Sequence, residues 1–192
     1  MRYGGKGGIK IKGGKKMKIW FTSDTHFGSE RTLQLSKRPF NSVEEMDQTM
    51  VNNWNNVVSE HDIVFHLGDF GNYEVSKRLN GNIILIFGNY ERKESNDINF
   101  RKFNFDKIFP NGISVCYDEK GINLEHEPSR VKYKNIDDKH FNLFGHIHKL
   151  CMVKSYGLNV SVDCHNFTPI DLDTVWFYHN AILNHYDDEV FK

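Results

Sequence analysis

Five apolar runs punctuate this chain, and each stops at a cluster of polar residues. Ile19-Trp20-Phe21 leads into Ser23-Asp24-Thr25-His26, Ile63-Val64-Phe65 into His66-Leu67-Gly68-Asp69, and Ile83-Ile84-Leu85-Ile86-Phe87 into Gly88-Asn89. In the second half Ile122-Asn123-Leu124-Glu125 delivers His126, while Phe141-Asn142-Leu143-Phe144 and Gly145 deliver His146 and His148. Short runs rich in β-branched and aromatic side chains, closed by Gly or Asp, predict buried strands. A helical period follows the first of them: Val43, Met46, Met50, Trp54, Val57 and Val58 fall on one face, with Ser42 and Glu45 placed for a capping box. A shorter helix is expected over Tyr73 to Asn80, capped by Asn72 and ended by Gly81, and a closing helix over Asp171 to Leu183. Residues 92 to 107 read as a solvated connection around a weak helix. Strands alternating with helices predict one α/β domain over residues 17 to 192.

In open α/β sheets the loops leaving the carboxyl ends of the strands share one edge, so polar clusters placed there converge. The residues so gathered are Asp24, His26, Asp69, Asn89, His126, His146 and His148, all nitrogen or oxygen donors. Residues two apart in extended backbone point to one face, so His146 and His148 can approach a site together. This donor set suits divalent manganese, iron, zinc, nickel or cobalt better than a thiolate site would. Taken singly, Asp-x-His, Gly-Asp and His-x-His are weak signals, because an Asp before a turn is commonly a cap or an Asx-turn.

Order and spacing make them specific. Asp24-x-His26, Gly68-Asp69, Gly88-Asn89, His126 and Gly145-His146-x-His148 together resemble the signature of the calcineurin-like metallophosphoesterases, over about Lys18 to Asp163. Arg38-Pro39-Phe40, Glu45-Met46-Asp47, Asn53-Trp54-Asn55 and Asn159-Val160-Ser161-Val162-Asp163 are similar to one small bacterial and phage branch. The resemblance implies a sandwich of two mixed β-sheets flanked by helices. It also implies two divalent ions, manganese being the first choice. One would be held by Asp24, His26 and His148, the other by Asn89, His126 and His146, with Asp69 bridging. Such a pair can present a hydroxide for in-line attack on phosphorus.

Three positions depart from the pattern. Tyr90-Glu91 follows Gly88-Asn89 where the family usually has His followed by Asp or Glu, Asn72 stands where many relatives have Asp, and Ser29 where close relatives often have His. That missing His is thought to protonate the leaving oxygen or stabilise charge around the phosphoryl group. A tyrosine hydroxyl, with an ordinary pKa of about 10, is a poor proton donor near neutrality. Asn89 and Tyr90 are therefore the candidate catalytic residues, and a phosphodiester or an ester with a good leaving group is the expected substrate. Arg38, with its planar fork of donors, is the candidate phosphate-binding side chain. Two rival readings are a catalytically degenerate fold serving as a protein-binding scaffold, and a nuclease.

Apolar and charged fractions of 39% and 26% are ordinary for a globular protein. Net charge is zero, but residues 1 to 16 hold six basic residues and no acid, leaving 19 basic against 25 acidic residues in the remainder. This Gly/Lys-rich segment reads as a flexible arm or as sequence upstream of a start at Met17; its functional alternative is an electrostatic contact with nucleic acid. It lacks the apolar core of a signal peptide, and no apolar stretch is long enough to span a bilayer, so a cytoplasmic enzyme without membrane contact is expected. Cys116, Cys151 and Cys164 form no Cys-x-x-Cys and suggest no disulfide framework. His61, His66, His140, His165, His179 and His185 lie outside the signature and read as scaffold or surface residues, with His66 and His165 closest to strand ends that feed the site. Oligomeric state leaves no mark on the sequence.

Overall fold

Alternate residues of the apolar runs belong to two different cores, and this decides the architecture. The computed structural model describes residues 9–10 and 17–185. Its strands are β1 (Ile9–Lys10), β2 (Ile19–Thr22), β3 (Ile63–His66), β4 (Asn82–Ile86), β5 (Lys107–Phe109), β6 (Ile113–Tyr117), β7 (Lys120–Leu124), β8 (His140–Phe144), β9 (Val153–Lys154), β10 (Gly157–Asn159) and β11 (Ile170–Asp171). The helices are α1 (Glu30–Leu35), α2 (Val43–Val57), α3 (Asn89–Glu94) and α4 (Leu172–His185). One sheet runs in the order β11-β2-β3-β4-β5 and the other β1-β6-β7-β8-β10-β9. Each mixes parallel and antiparallel neighbours, as the resemblance implies.

From β2, β3 and β4 the side chains of Ile19, Phe21, Phe65, Ile84 and Ile86 pack with Ile122, Leu124, Phe141, Leu143 and Leu158 of the second sheet. The intervening Trp20, Val64, Ile83 and Leu85 point the other way and pack under α2, against Met46, Met50, Val51 and Trp54. A strand covered on both faces must be apolar throughout, which is why these runs are continuous rather than alternating. Each large side chain that α2 buries contributes roughly 1.5–3 kcal/mol. The two sheets are joined at the site edge where Ser23 pairs with Ser161, its N–H donating to Val160 O and its carbonyl accepting from Val162 N.

Details differ from expectation where local hydrogen bonds compete. Ser42 caps α2 by accepting from Glu45 N at 3.2 Å, but the Glu45 carboxylate accepts from Asn41 N at 2.8 Å, so the capping box is not closed as expected. The helix after Asn72 is a 3-10 turn over Tyr73–Arg78, and Gly81, with φ of 90°, instead turns the chain into β4. The helix expected within residues 92 to 107 begins earlier, at Asn89, with a separate turn at Phe100–Lys102. Within the expected basic arm, Ile9–Lys10 form β1, parallel to β6 at Ile9↔Val115 and Lys10↔Cys116. The rest of the arm lies outside the described residues.

Candidate metal centre

Register brings the strand ends level: Thr22 pairs with His66 and His66 with Leu85. The loops that follow β2, β3 and β4 therefore leave together, facing those that follow β7 and β8. Five of the candidate ligands sit in left-handed backbone: Asp24 (φ 57°), His26 (47°), Asp69 (57°), His146 (72°) and His148 (47°). Non-glycine residues adopt this region at a cost, and such strain persists where surrounding contacts hold it. Here the contacts are explicit. Glu91, fully buried, accepts from Asp69 N and Gly88 N through Oε2 and from Phe70 N through Oε1, each at 2.8 Å. Burial and the Asp69 charge push its carboxyl above the usual range, against the pull of those donors. The Asp24 carboxylate accepts from Ser23 Oγ at 2.6 Å and from His146 N at 3.0 Å. A Cβ at Gly145 would collide with Ser23 and Asp24, and one at Gly88 with Asp69, so only glycine lets the ligand loops approach this closely.

Two donor groups result. Ligand atoms of Asp24, His26 and His148 lie within 4.8 Å of one another, as do those of Asp69, His126 and His146. Asp69 Oδ2 stands 3.6 Å from His26 Nε2 and 3.4 Å from His126 Nε2, within reach of both groups. Asn89 Oδ1 stands 3.1 Å from His126 Nε2 and 3.0 Å from His146 Nδ1, and those two ring nitrogens are 3.2 Å apart. All seven sequence candidates are thus brought together.

The donor chemistry fits a cation. His126 Nδ1 is 2.7 Å from Leu67 O and donates its proton there, so its Nε2 faces an amide oxygen, a carboxylate and another imidazole. A metal ion between them would take up those converging lone pairs. Burial disfavours the imidazolium, but the Asp69 hydrogen bond, the Asp24 and Asp69 charges and the Leu67 carbonyl together outweigh it and raise the His126 pKa to about 9. Burial likewise opposes ionisation of Asp69, yet hydrogen bonding and charge from His126 hold it down at about 2. His26, by contrast, is driven down to about 4, chiefly by burial, and so offers a neutral nitrogen.

A second layer fixes the candidate ligands. His148 Nδ1 donates to Asp163 Oδ2 at 2.8 Å. Asp163 in turn takes the Arg38 fork, Nε to Oδ1 at 3.0 Å and Nη2 to Oδ2 at 2.8 Å. The remaining Arg38 donors reach the carbonyls of Thr25 at 2.8 Å and Asp24 at 2.6 Å. This corrects the expectation that Arg38 meets a substrate phosphate: its side chain is 0% exposed and its donors are committed to protein acceptors. Asp163 appeared in the sequence only as part of a branch resemblance, with no signal of its own for this role. His66 is fully buried, facing Thr25 Oγ1 through Nε2 and accepting from Gly68 N through Nδ1, and burial lowers its pKa to about 3. His165 faces Asn159 O. Both are scaffold.

The donors open into a pocket of about 340 Å³, walled also by Tyr90, Arg31 and Lys149, with Leu35 and Leu150 exposed on its rim. Tyr90 N donates to Asp69 Oδ1 at 3.0 Å, its ring meets His26 edge-on with centroids 5.2 Å apart, and its hydroxyl accepts from Arg31 Nη1 at 3.4 Å. Arg31 escaped the sequence reading because nothing local marks a surface arginine on a short helix. A larger cavity, about 490 Å³, lies beside Arg92, Phe100 and Arg101 and contains none of the ligands.

Nitrogen and oxygen donors converging at the edge of two face-to-face mixed sheets form a candidate centre for divalent metal ions. Residues 17–166 match the calcineurin-like phosphoesterase superfamily domain, and the chain belongs to that superfamily. It is 32% identical over 173 residues to an uncharacterised protein of Methanocaldococcus jannaschii, covering 82% of this chain and 89% of that one. It is also 32% identical over 81 residues to the gene 66 protein of Mycobacterium phage L5, covering 38% of this chain and 39% of that one. Its fold is similar to that of a protein of unknown function from Aquifex aeolicus, with a TM-score of 0.67 at 23% identity over 84% of this chain and 99% of the other. No helix among the described residues is long and apolar enough to cross a membrane.

Proposed function

We propose that this chain hydrolyses phosphodiesters with two divalent ions, manganese being the first to test. Asp24, His26 and His148 would hold one ion, Asn89, His126 and His146 the other, with Asp69 shared. The observation that carries this reading is the position of Asp69 Oδ2, 3.6 Å from His26 Nε2 and 3.4 Å from His126 Nε2. When bound, such a pair of ions supplies a clamp for the attacking and departing oxygens and a water acidified enough to react near neutrality.

The chain's own part is positioning, which with charge neutralisation accounts for most of phosphoryl-transfer catalysis. Glu91 and Gly145 hold the ligand loops at close approach, and Asp163 orients His148. Tyr90 presents a hydroxyl and no imidazole to the pocket, which supports a diester or another ester with a good leaving group over an alkyl monoester.

The test is metal content followed by a substrate panel. Protein given manganese should bind about two ions per chain. Asp69→Ala should lower occupancy of both sites, and His26→Ala of one. The loaded protein should hydrolyse an aryl diester faster than the matching aryl monoester, with cyclic nucleotides and oligonucleotides tested alongside. Absence of near-stoichiometric metal binding would sink the reading, and a strong preference for monoesters would refute its diester part.

A further inference from the structure

The arginines near the site are spent on carboxylates, with one exception. Arg38 is paired with Asp163, Arg92 with Glu125 and Glu127, and Arg130 with the same two glutamates. Arg31 projects from α1 into the pocket wall beside Asp69, Asn89 and His146, and among the described residues no carboxylate lies within ion-pair distance of it. Its one hydrogen bond to a side chain is Nη1 to the Tyr90 hydroxyl, at 3.4 Å across 59 residues of sequence. Among the described residues the other guanidinium donors have no acceptor. An unpaired, weakly hydrated, planar cation in a pocket that receives a phosphoester is placed to take an anionic oxygen.

We propose that Arg31, steadied by the Tyr90 hydroxyl, binds the departing oxygen of the substrate and neutralises the charge that builds on it. This rests on the phosphodiesterase reading above. As water forms its bond to phosphorus its proton passes to solvent, and the ester P–O bond breaks with the bonding electrons leaving on the ester oxygen. A guanidinium keeps its own protons throughout the working pH range, so it meets that charge by hydrogen bonding and never by giving up a proton. The alcohol then takes its proton from solvent after departure. With no proton donor the site still favours leaving groups that carry negative charge well, and Arg31 relieves that demand most where the leaving group is poor. Arg31 is exposed on a six-residue helix capped by Ser29, so replacing it does not disturb the core.

The experiment uses the full chain loaded with manganese, as wild type, Arg31→Ala, Arg31→Lys and Tyr90→Phe. Metal content is measured first and should be the same in all four. kcat/KM is then followed across methyl aryl phosphodiesters of graded phenol acidity. Arg31→Ala should cost about tenfold or more for the least acidic phenol and much less for the most acidic. Arg31→Lys should recover part of the loss, and Tyr90→Phe should show a weaker version of the same slope. A loss equal for all leaving groups, or no loss, overturns the proposal. Orthovanadate affinity, read by calorimetry, separates this from failure of the function itself. If wild type hydrolyses none of the series yet binds vanadate more tightly than Arg31→Ala, the proposed reaction falls and the anion-binding role of Arg31 stands. Equal vanadate affinities overturn that role.

Discussion

The Nδ1–H of His148 donates to Oδ2 of Asp163 at 2.8 Å, which leaves Nε2 as the nitrogen free to join Asp24 and His26. The carboxylate fixes tautomer and ring orientation together, as partners of metal-bound imidazoles commonly do. Asp163→Asn keeps the shape but loses the charge. It should weaken binding at the site of Asp24, His26 and His148 by about 10–100-fold, leaving the other site's affinity nearly unchanged. Manganese titration by calorimetry or electron paramagnetic resonance distinguishes the two sites, and equal weakening of both would mean that Asp163 acts through the general fold.

Asp163 also makes a prediction about acid. Burial would raise its pKa, but hydrogen bonds from His148 and Arg38, with the Arg38 charge, bring it to about 2 against an ordinary 3.8. A group whose folded pKa is depressed stabilises the fold above its unfolded pKa and loses that contribution as pH falls toward the folded value. The contribution is on the order of 2 kcal/mol near neutrality, lost between about pH 4 and pH 2. In metal-free protein, the wild type should lose stability to urea more steeply over that interval than Asp163→Asn does. Parallel curves for the two would show that the carboxylate is not held down as described.

Arg38 should behave as a structural residue. Its guanidinium serves Asp163 and the carbonyls of Asp24 and Thr25 from a buried position, so Arg38→Ala leaves a buried carboxylate without its guanidinium partner and should cost about 3–5 kcal/mol in urea unfolding. Arg38→Lys should recover only part, because a single ammonium cannot reach all three acceptors. An Arg38→Ala protein of unchanged stability with a raised KM would restore the substrate-binding role.

Tyr90→His tests the departure from the family pattern. An imidazole, with an ordinary pKa of about 6.5, can give up a proton near neutrality where a phenol does not. Rates should rise most for esters with poor leaving groups and little for activated aryl diesters. A change equal for both kinds would point to pocket shape, and the gain should fade as pH rises through the imidazole's pKa, an alkaline-side dependence that wild type lacks.

The candidate ligands were legible in the chain because each follows an apolar run, and short runs rich in β-branched and aromatic residues closed by Gly or Asp read as buried strands. Once Ile19–Phe21, Ile63–Phe65 and Ile83–Phe87 are strands of one sheet, their carboxyl ends must share an edge. Asp24, His26, Asp69 and Asn89 are then neighbours without any coordinate. His126, His146 and His148 follow by the same logic from β7 and β8. Tyr90 was visible as a departure from pattern, and α2 as a period.

What the sequence could not state is which side chain meets which across large separations. Arg38 and Asp163 are 125 residues apart, Arg31 and Tyr90 are 59 apart, and nothing local distinguishes an arginine that binds substrate from one that braces a ligand. Arg38 reads in the sequence as a phosphate-binding candidate, yet contacts with Asp24, Thr25, Met46 and Asp163 bury it. Arg31, which the sequence reading did not single out, is exposed and lines the pocket where the start of α3 carries Tyr90 to it. The cap of α2 went the same way, since Glu45 could bond either of two adjacent N–H groups and the turn at Asn41 decided between them. Periodicity and strand order are properties of the chain. The pairing of long polar side chains depends on which donors and acceptors burial leaves within about 3 Å of one another, and only the packed tertiary structure sets that distance.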